Sequence, residues 1–284
     1  MAESSFDRAR FFSRLATRRL GRVLVARATV GSTNDEVWEA CAAGAAHGTA
    51  IVADAQTCGR GRAGRVWHTA AGKALALSVA LHRDGGRGPV GVLPLAAGLA
   101  VARALERLGA VPELKWPNDV LLAGGKVAGV LCESRRLART DAAREVAART
   151  GDEDGTFDAV VVGVGINVGQ ALCDFPPEIA GSASSLALAG VATDRETVAA
   201  EFLNALEPLW EDLDRGATGT WLEAWGARAR FWGRPVVVRT PAGEVRGIAR
   251  ALRPDGALRI AGPDGAETAV LAGDLELPRA EAGS

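Results

Sequence analysis

The chain has 284 residues, 48% hydrophobic and 24% charged, with a formal net charge of −1. That size suits one large domain, or one with a small appendage, and the near-neutral charge excludes a global field drawing it to nucleic acid or an anionic membrane. No apolar run approaches the ~20 residues that span a bilayer. Cys41, Cys58, Cys132 and Cys173 lack CxxC spacing and read as reduced thiols of a cytoplasmic protein, not as a zinc site or disulfide framework.

Residues 4–20 read as a helix carrying Phe6, Phe11, Phe12 and Leu15 on one stripe. Val23 to Ala26 then reads as a strand. Ser32-Thr33-Asn34-Asp35-Glu36 has the signature of a capping box, with Thr33 as N-cap and Glu36 three residues on. The same residues offer hydroxyls, an amide and free N–H groups as a polar clamp for a ligand. A short buried strand, Thr49 to Ala53, leads through Gln56 into Cys58-Gly59-Arg60-Gly61-Arg62-Ala63-Gly64-Arg65-Val66-Trp67. Here glycines free the backbone for positive φ, arginine forks suit phosphate or carboxylate, and a tryptophan offers a face to a ring. Alone, the run fits an anion site, a solvated loop or a nucleic-acid segment. Only three of the 33 basic residues are lysine (Lys73, Lys115 and Lys126), which marks a lysine as suited to work a guanidinium cannot do.

Ala74 to Leu81 reads as a strand, although periodicity alone also fits a buried helix; Gly85 to Pro89 reads as a turn and Pro94 to Leu108 as a helix. Leu114-Lys115-Trp116-Pro117-Asn118-Asp119-Val120 is a strand broken by a turn. Gly124-Gly125 between two apolar runs predicts a hairpin with both glycines at its centre, setting Lys126 ~10–15 Å from Asp119 along the strand. Residues 134–158 read as an exposed, mobile charged insertion, partly helical near 141–148. Ala159 to Val168 is a core strand whose Gly163 and Gly165 allow something to approach closely. A loop over 171–190, helices at 194–213 and 220–229, and five short strands within 235–277 complete the chain.

Taken in order over residues 23–277, these motifs resemble those of biotin protein ligases: Ser32-Thr33-Asn34, Gln56, Gly59 to Trp67, Lys115-Trp116-Pro117-Asn118-Asp119, Lys126 to Glu133, and Gly163-Val164-Gly165-Ile166-Asn167. The resemblance implies an α+β fold, a class II aminoacyl-tRNA synthetase-like catalytic domain with a mixed sheet backed by helices, plus a C-terminal SH3-like β-barrel. The expected layout is an N-terminal helical segment at 1–21, the catalytic domain at 22–231 and the barrel at 232–284. The resemblance places Lys126, Arg60 and Arg62 at the reacting centre. It puts biotin against Ser32, Thr33, Asn34, Gln56, Arg60, Gly61, Arg62, Lys126, Gly129, Gly163 and Gly165. ATP falls against Arg62, Arg65, Trp67, Lys115, Asn118, Asp119, Lys126 and Asn167, with Asp119 a candidate for Mg2+. The implied reaction activates biotin with MgATP to biotinyl-5′-AMP and transfers it to a lysine of the biotin carboxyl carrier protein of an acyl-CoA carboxylase such as acetyl-CoA carboxylase. A cytoplasmic monomer or homodimer is expected, without the N-terminal DNA-binding module, sequence-specific DNA binding or membrane attachment. Lipoate or octanoate transfer is the nearest alternative, and a non-catalytic nucleic-acid module the next.

Overall fold

The computed structural model describes residues 3–83, 88–138 and 156–278. They form a seven-stranded mixed sheet flanked by helices and a five-stranded antiparallel sheet at the C-terminus. In chain order the first part comprises α1 (Arg8–Arg14), β1 (Leu24–Val30), α2 (Thr33–Ala42), β2 (Ala50–Gln56), β3 (Ala74–Arg83), α3 (Leu93–Arg107), β4 (Glu113–Lys115), β5 (Asp119–Leu122), β6 (Gly125–Ala138) and β7 (Thr156–Asn167). Then come α4 (Pro177–Ala180), α5 (Arg195–Arg215) and α6 (Gly219–Gly226), followed by β8 (Pro235–Thr240), β9 (Gly243–Leu252), β10 (Leu258–Ala261), β11 (Glu267–Val270) and β12 (Asp274–Glu276). The main sheet runs β1-β2-β3-β7-β6-β5-β4, with β1 and β2 parallel and the remaining neighbours antiparallel.

Side-chain size alternates along the central strands, and that alternation sets the layers. On one face Leu75, Leu77, Val79 and Leu81 of β3 and Val160, Val162, Val164 and Ile166 of β7 join the core built with α3 and α5. On the other face stand Ala74, Ala76, Ser78 and Ala80, opposite Asn167, Gly165, Gly163 and Val161. α2 covers only one end of that face, where Val37, Trp38 and Cys41 pack on Ile51, Ala80 and Val161. A strand explains this period of two, which settles residues 74–81 as sheet.

The C-terminal sheet, ordered β11-β10-β9-β8-β12, is the SH3-like unit. Trp232 lies at its boundary, against Phe231 and Trp225, and donates its indole N–H to the Gly226 carbonyl at 2.7 Å. Trp116, between β4 and β5 of the main sheet, seats the C-terminal sheet by donating to the Gly256 carbonyl at 3.1 Å.

Three expectations change. The N-terminal helix is only seven residues long, begun by the Asp7 side chain accepting from the Arg10 N–H and ended where Leu15 turns extended. Beyond it the Glu207 carboxylate on α5 accepts the N–H groups of Arg18 (2.7 Å), Arg19 (2.7 Å) and Leu20 (3.0 Å), which replaces helical acceptors. The hairpin after β5 is centred on Ala123 and Gly124, both at positive φ, so Gly125 is the first residue of β6. A Cβ on Gly125 would lie 2.7 Å from the Ala183 carbonyl oxygen, which is why a glycine stands there. The charged insertion is shorter than 134–158: β6 and β7 continue as a ladder to the pair Ala138–Thr156. Residues 139–155, with the helix expected near 141–148, lie outside the described residues, as do residues 85–87 of the expected turn. Among the described residues no helix is long and apolar enough to cross a membrane.

Glu207 accepts three backbone bonds in a buried position, and those bonds hold its carboxyl below the usual range against the cost of burial. Replacing it with alanine strands three donors and is expected to cost about 2 kcal/mol of stability, measured by urea unfolding at pH 7. Because the folded-state pKa is depressed, this contribution is present above the ordinary carboxylate pKa and is lost as the pH falls through the folded value. The stability gap between wild type and Glu207→Ala therefore narrows on acidification.

Candidate active site

The uncovered end of the small-residue face is a cavity of about 250 Å³. Its floor is a row across the sheet in which Gly165, Gly129 and Asp119 stand opposite one another on β7, β6 and β5, a row that the buried Ala76 continues on β3. A Cβ on Gly165 would fall 2.2 Å from the Trp67 ring, and one on Gly163 would fall 2.0 Å from Asn34 Oδ1. The absent side chains are therefore the space that the indole and the Asn34 amide occupy.

At one end the start of α2 meets the end of β2. The N-cap of α2 is Ser32, not Thr33, and no side-chain capping bond forms. Thr33 instead turns inward, donating its N–H (2.8 Å) and hydroxyl (3.2 Å) to Gln56 Oε1, while Gln56 Nε2–H reaches Thr69 Oγ1 at 3.2 Å. Ser78, fully buried in the floor, donates to Asn34 Oδ1 at 2.6 Å and lies 2.7 Å from Thr33 Oγ1. Asn34 Nδ2–H and Trp38 Nε1–H both donate to Glu133 Oε2. The expected capping box is thus replaced by a network that fixes donors and acceptors around a ligand-sized space.

The Gly/Arg loop roofs the cavity as a small hairpin. Trp67 N–H bonds Gly59 O, Gly61 N–H bonds Arg65 O, and Arg60 bridges to Val66. Only Gly64 of its three glycines takes a positive φ, joined by Ala63; Gly59 is needed because a Cβ there would sit 2.4 Å from the Trp67 carbonyl oxygen. Each arginine has an anionic or carbonyl partner. Arg60 forms a fork on Asp35 (2.5 and 2.7 Å) with Glu133 at 3.7 Å, and that hydrogen bond holds the Asp35 carboxyl below its usual range. Arg62 donates to Asn118 Oδ1 (3.1 Å) and the Gly273 carbonyl (3.3 Å), and Arg65 pairs with Asp274. Trp67 lies across the floor with its indole N–H buried and without an acceptor.

At the far end Lys126 Nζ lies 2.6 Å from Asp119 Oδ1 and 5.8 Å from the Trp67 ring centroid. The 10–15 Å expected along the strand is therefore bridged, because antiparallel pairing sets Asp119 opposite Gly129 and the lysine extends back over that bare glycine. The Lys126 backbone is held by Ser182 O and Ser184 N–H, at 2.8 and 2.9 Å. Asn167 Nδ2–H donates to Ser184 O and its Oδ1 accepts from Gln170, so its amide braces this segment from within. Burial raises the Cys132 thiol, which makes it a poor nucleophile.

Every site residue expected from sequence lines the cavity except Lys115, which sits on β4 opposite Asp119. Sequence reasoning missed the side wall formed by Phe175, Ile179, Ser182 and Ala183, and the buried Ser78 that bonds Thr33 and Asn34 from beneath. The wall had one usable signal: Phe175 and Ile179 stand four apart around Pro176-Pro177, which suits a short helical turn with an apolar face. Among the described residues no group of three or more His, Cys, Asp or Glu gathers to hold a metal. Asp119, already engaged by Lys126, does not make a metal cage by itself.

Residues 27–147 match the biotin/lipoate A/B protein ligase family and residues 231–277 the biotin protein ligase C-terminal domain. The biotin–[acetyl-CoA-carboxylase] ligase of Mycobacterium tuberculosis is 38% identical over 259 residues, covering 87% of this chain and 86% of that protein. The enzyme of the same name from Paracoccus denitrificans is 36% identical, covering 84% and 94%. Among solved structures, the biotin protein ligase of Aquifex aeolicus in complex with biotin and ATP superposes with a TM-score of 0.73 at 29% identity, covering 91% of this chain and 100% of that one.

The bare floor is open to a direct test. Gly165→Ala is expected to cost about 1–3 kcal/mol in urea unfolding by driving a methyl into the Trp67 ring. Adding Trp67→Ala should recover most of that loss, whereas simple additivity would show that the two positions do not meet.

Proposed function

The chain belongs to the biotin protein ligase family and is an ATP-dependent biotin protein ligase, and we propose how this cavity divides that work. The observation that carries the reading is the cavity's two-part chemistry. The polar clamp of Ser32, Thr33, Asn34 and Gln56 offers fixed donors and acceptors that suit a ureido ring. The opposite end gathers Arg62, Arg65, Asn118 and Lys126 for phosphates, and the orphan indole N–H of Trp67 awaits an acceptor.

In the first step an oxygen of the biotin carboxylate attacks the α-phosphorus of ATP and pyrophosphate leaves. Both reactants are anions, so the barrier falls when cations hold them together and neutralise the charge that builds on phosphate. Lys126, whose backbone is fixed by Ser182 and Ser184, supplies a compact charge between them; Arg60 and Arg62 come from the roof. Asp119 orients the ammonium and is displaced from it as the more highly charged substrates enter. Magnesium would arrive with the nucleotide as part of the substrate and would neutralise phosphate charge there, Asp119 being the carboxylate at that end of the cavity. In the second step the ε-amine of a carrier-domain lysine attacks the acyl carbonyl and AMP leaves. The biotin carboxyl carrier of acetyl-CoA carboxylase is the fitting partner, given the names of the closely similar enzymes. The hairpin roof shields the mixed anhydride from water between the steps. A lipoyl or octanoyl chain would leave the Thr33, Asn34 and Gln56 network facing methylenes, which disfavours the alternative acids.

Incubated with MgATP and each of biotin, lipoate and octanoate, the protein is expected to form an acyl-adenylate by mass spectrometry with biotin alone. An adenylate from lipoate or octanoate but not biotin would overturn the substrate assignment. Lys126→Arg retains the charge but not the fit beside Asp119 and Gly129, and should lower kcat about a hundredfold with the fold intact by circular dichroism. Wild-type rates in that variant would remove Lys126 from the reacting centre.

A further inference from the structure

The arginines at the nucleotide end of the roof are held by the C-terminal barrel. Arg65 pairs with Asp274 at the start of β12, and Arg62 donates to the Gly273 carbonyl one residue earlier. Asp274 also faces Arg62: burial disfavours the Arg62 charge and nearby Arg65 disfavours it further, whereas Asp274 is the foremost opposing charge, ahead of Asp119. One carboxylate thus allows two guanidinium groups to sit side by side above the cavity.

The support beneath that carboxylate is rigid. A Cβ on Gly273 would fall 2.6 Å from Val238 Cγ1 and 2.7 Å from the Arg239 carbonyl oxygen, so this turn is pressed flat on β8. Asp274 then pairs with Arg239 in the β12–β8 ladder. The barrel itself is seated by the Trp116–Gly256 hydrogen bond, and a Cβ on Gly256 would meet Val92 at 3.0 Å and Leu95 at 3.2 Å. The chain of support runs from α3 through the barrel to the roof.

We propose that Asp274 is a positioning residue for the nucleotide half of the site, its carboxylate standing in for phosphate so that Arg62 and Arg65 wait above the cavity in near-binding positions. The inference rests on the ligase reading above. The side chains of Arg65 and Asp274 are 55% and 41% exposed, and a solvated pair of this kind is weak, so a triphosphate can take the arginines over. The loop then spends less of its binding free energy on ordering itself. Biotin binds at the other end, against Thr33 and Gln56, and does not need this support.

The test compares Asp274→Asn, Asp274→Glu, Arg65→Gln and the double variant Arg65→Gln/Asp274→Asn in steady-state kinetics. Hydrogen exchange of residues 59–66 is followed in the ligand-free protein. Asp274→Asn should raise KM for ATP about fivefold and leave KM for biotin and kcat within about twofold, and Asp274→Glu should restore the ATP value. Exchange should quicken in residues 59–66 and not elsewhere. In the Arg65→Gln background the Asp274 substitution should add little, as expected of two members of one contact. An unchanged KM for ATP overturns the proposal. A lowered one does too, since Asp274 would then be a competitor of the nucleotide and not a support. Equal rises in both KM values with faster exchange throughout the chain would mark a merely structural residue and also refute it. If the wild-type protein makes no biotinyl-adenylate, the ligase reading fails, and exchange in residues 59–66 still reports on the Asp274 contact.

Discussion

The absence of side chains along one row of the main sheet is the constraint on which the site depends. Ala76, Gly165 and Gly129 stand opposite one another across three adjacent strands, with Asp119 next in the row, and nothing larger than a methyl rises from the first three. Gly163 repeats the pattern two residues along, beside Ser78. The reverse face of the same strands is filled by leucine, valine and isoleucine, so the sheet is anchored on α3 and α5 without help from the cavity side. A rigid floor and an empty face are therefore one feature of sequence, seen from two sides. Trp67, the Asn34 amide and the Lys126 stem each occupy space that a single added Cβ would close.

On that floor the charges are paired before any substrate is considered. Lys126 rests on Asp119, Arg60 on Asp35 and Arg65 on Asp274. The pairs are partly solvated, so each keeps its cation in place without binding it so tightly that a phosphate or carboxylate cannot replace the partner. The anchors lie on different elements: α2, β5 and the barrel. Closing the roof therefore draws on the whole molecule, and the C-terminal sheet becomes part of the site, not an appendage to it.

Much of this was legible in the residues. The order of the motifs, the polar clamp, the glycine pair of β7 and the switch to short strands after Arg234 all pointed to the observed architecture. The size alternation in Ala74-Leu75-Ala76-Leu77-Ser78 was also there to be read, and would have separated strand from buried helix where hydropathy alone did not. Other features depended on partners distant in sequence. The capping signature at Ser32-Thr33 gave way because Gln56 and Ser78 compete for the same hydroxyl. The N-terminal helix ended early because partners almost 190 residues away take over the backbone past it: Asn204 bonds the Arg14 carbonyl and the Ala16 N–H, and Glu207 accepts the N–H groups of Arg18 to Leu20. The Lys126–Asp119 contact needed the bare Gly129 between them, and Asp274 carried no local signal at all.

The central claim is that the cavity by itself carries out the activation step, with the carrier needed only afterwards. Exchange of labelled pyrophosphate into ATP isolates that step. Exchange is expected to require biotin and to proceed at full rate with no carrier domain present. Exchange that appears only when the carrier is added, or that ignores biotin, would contradict it.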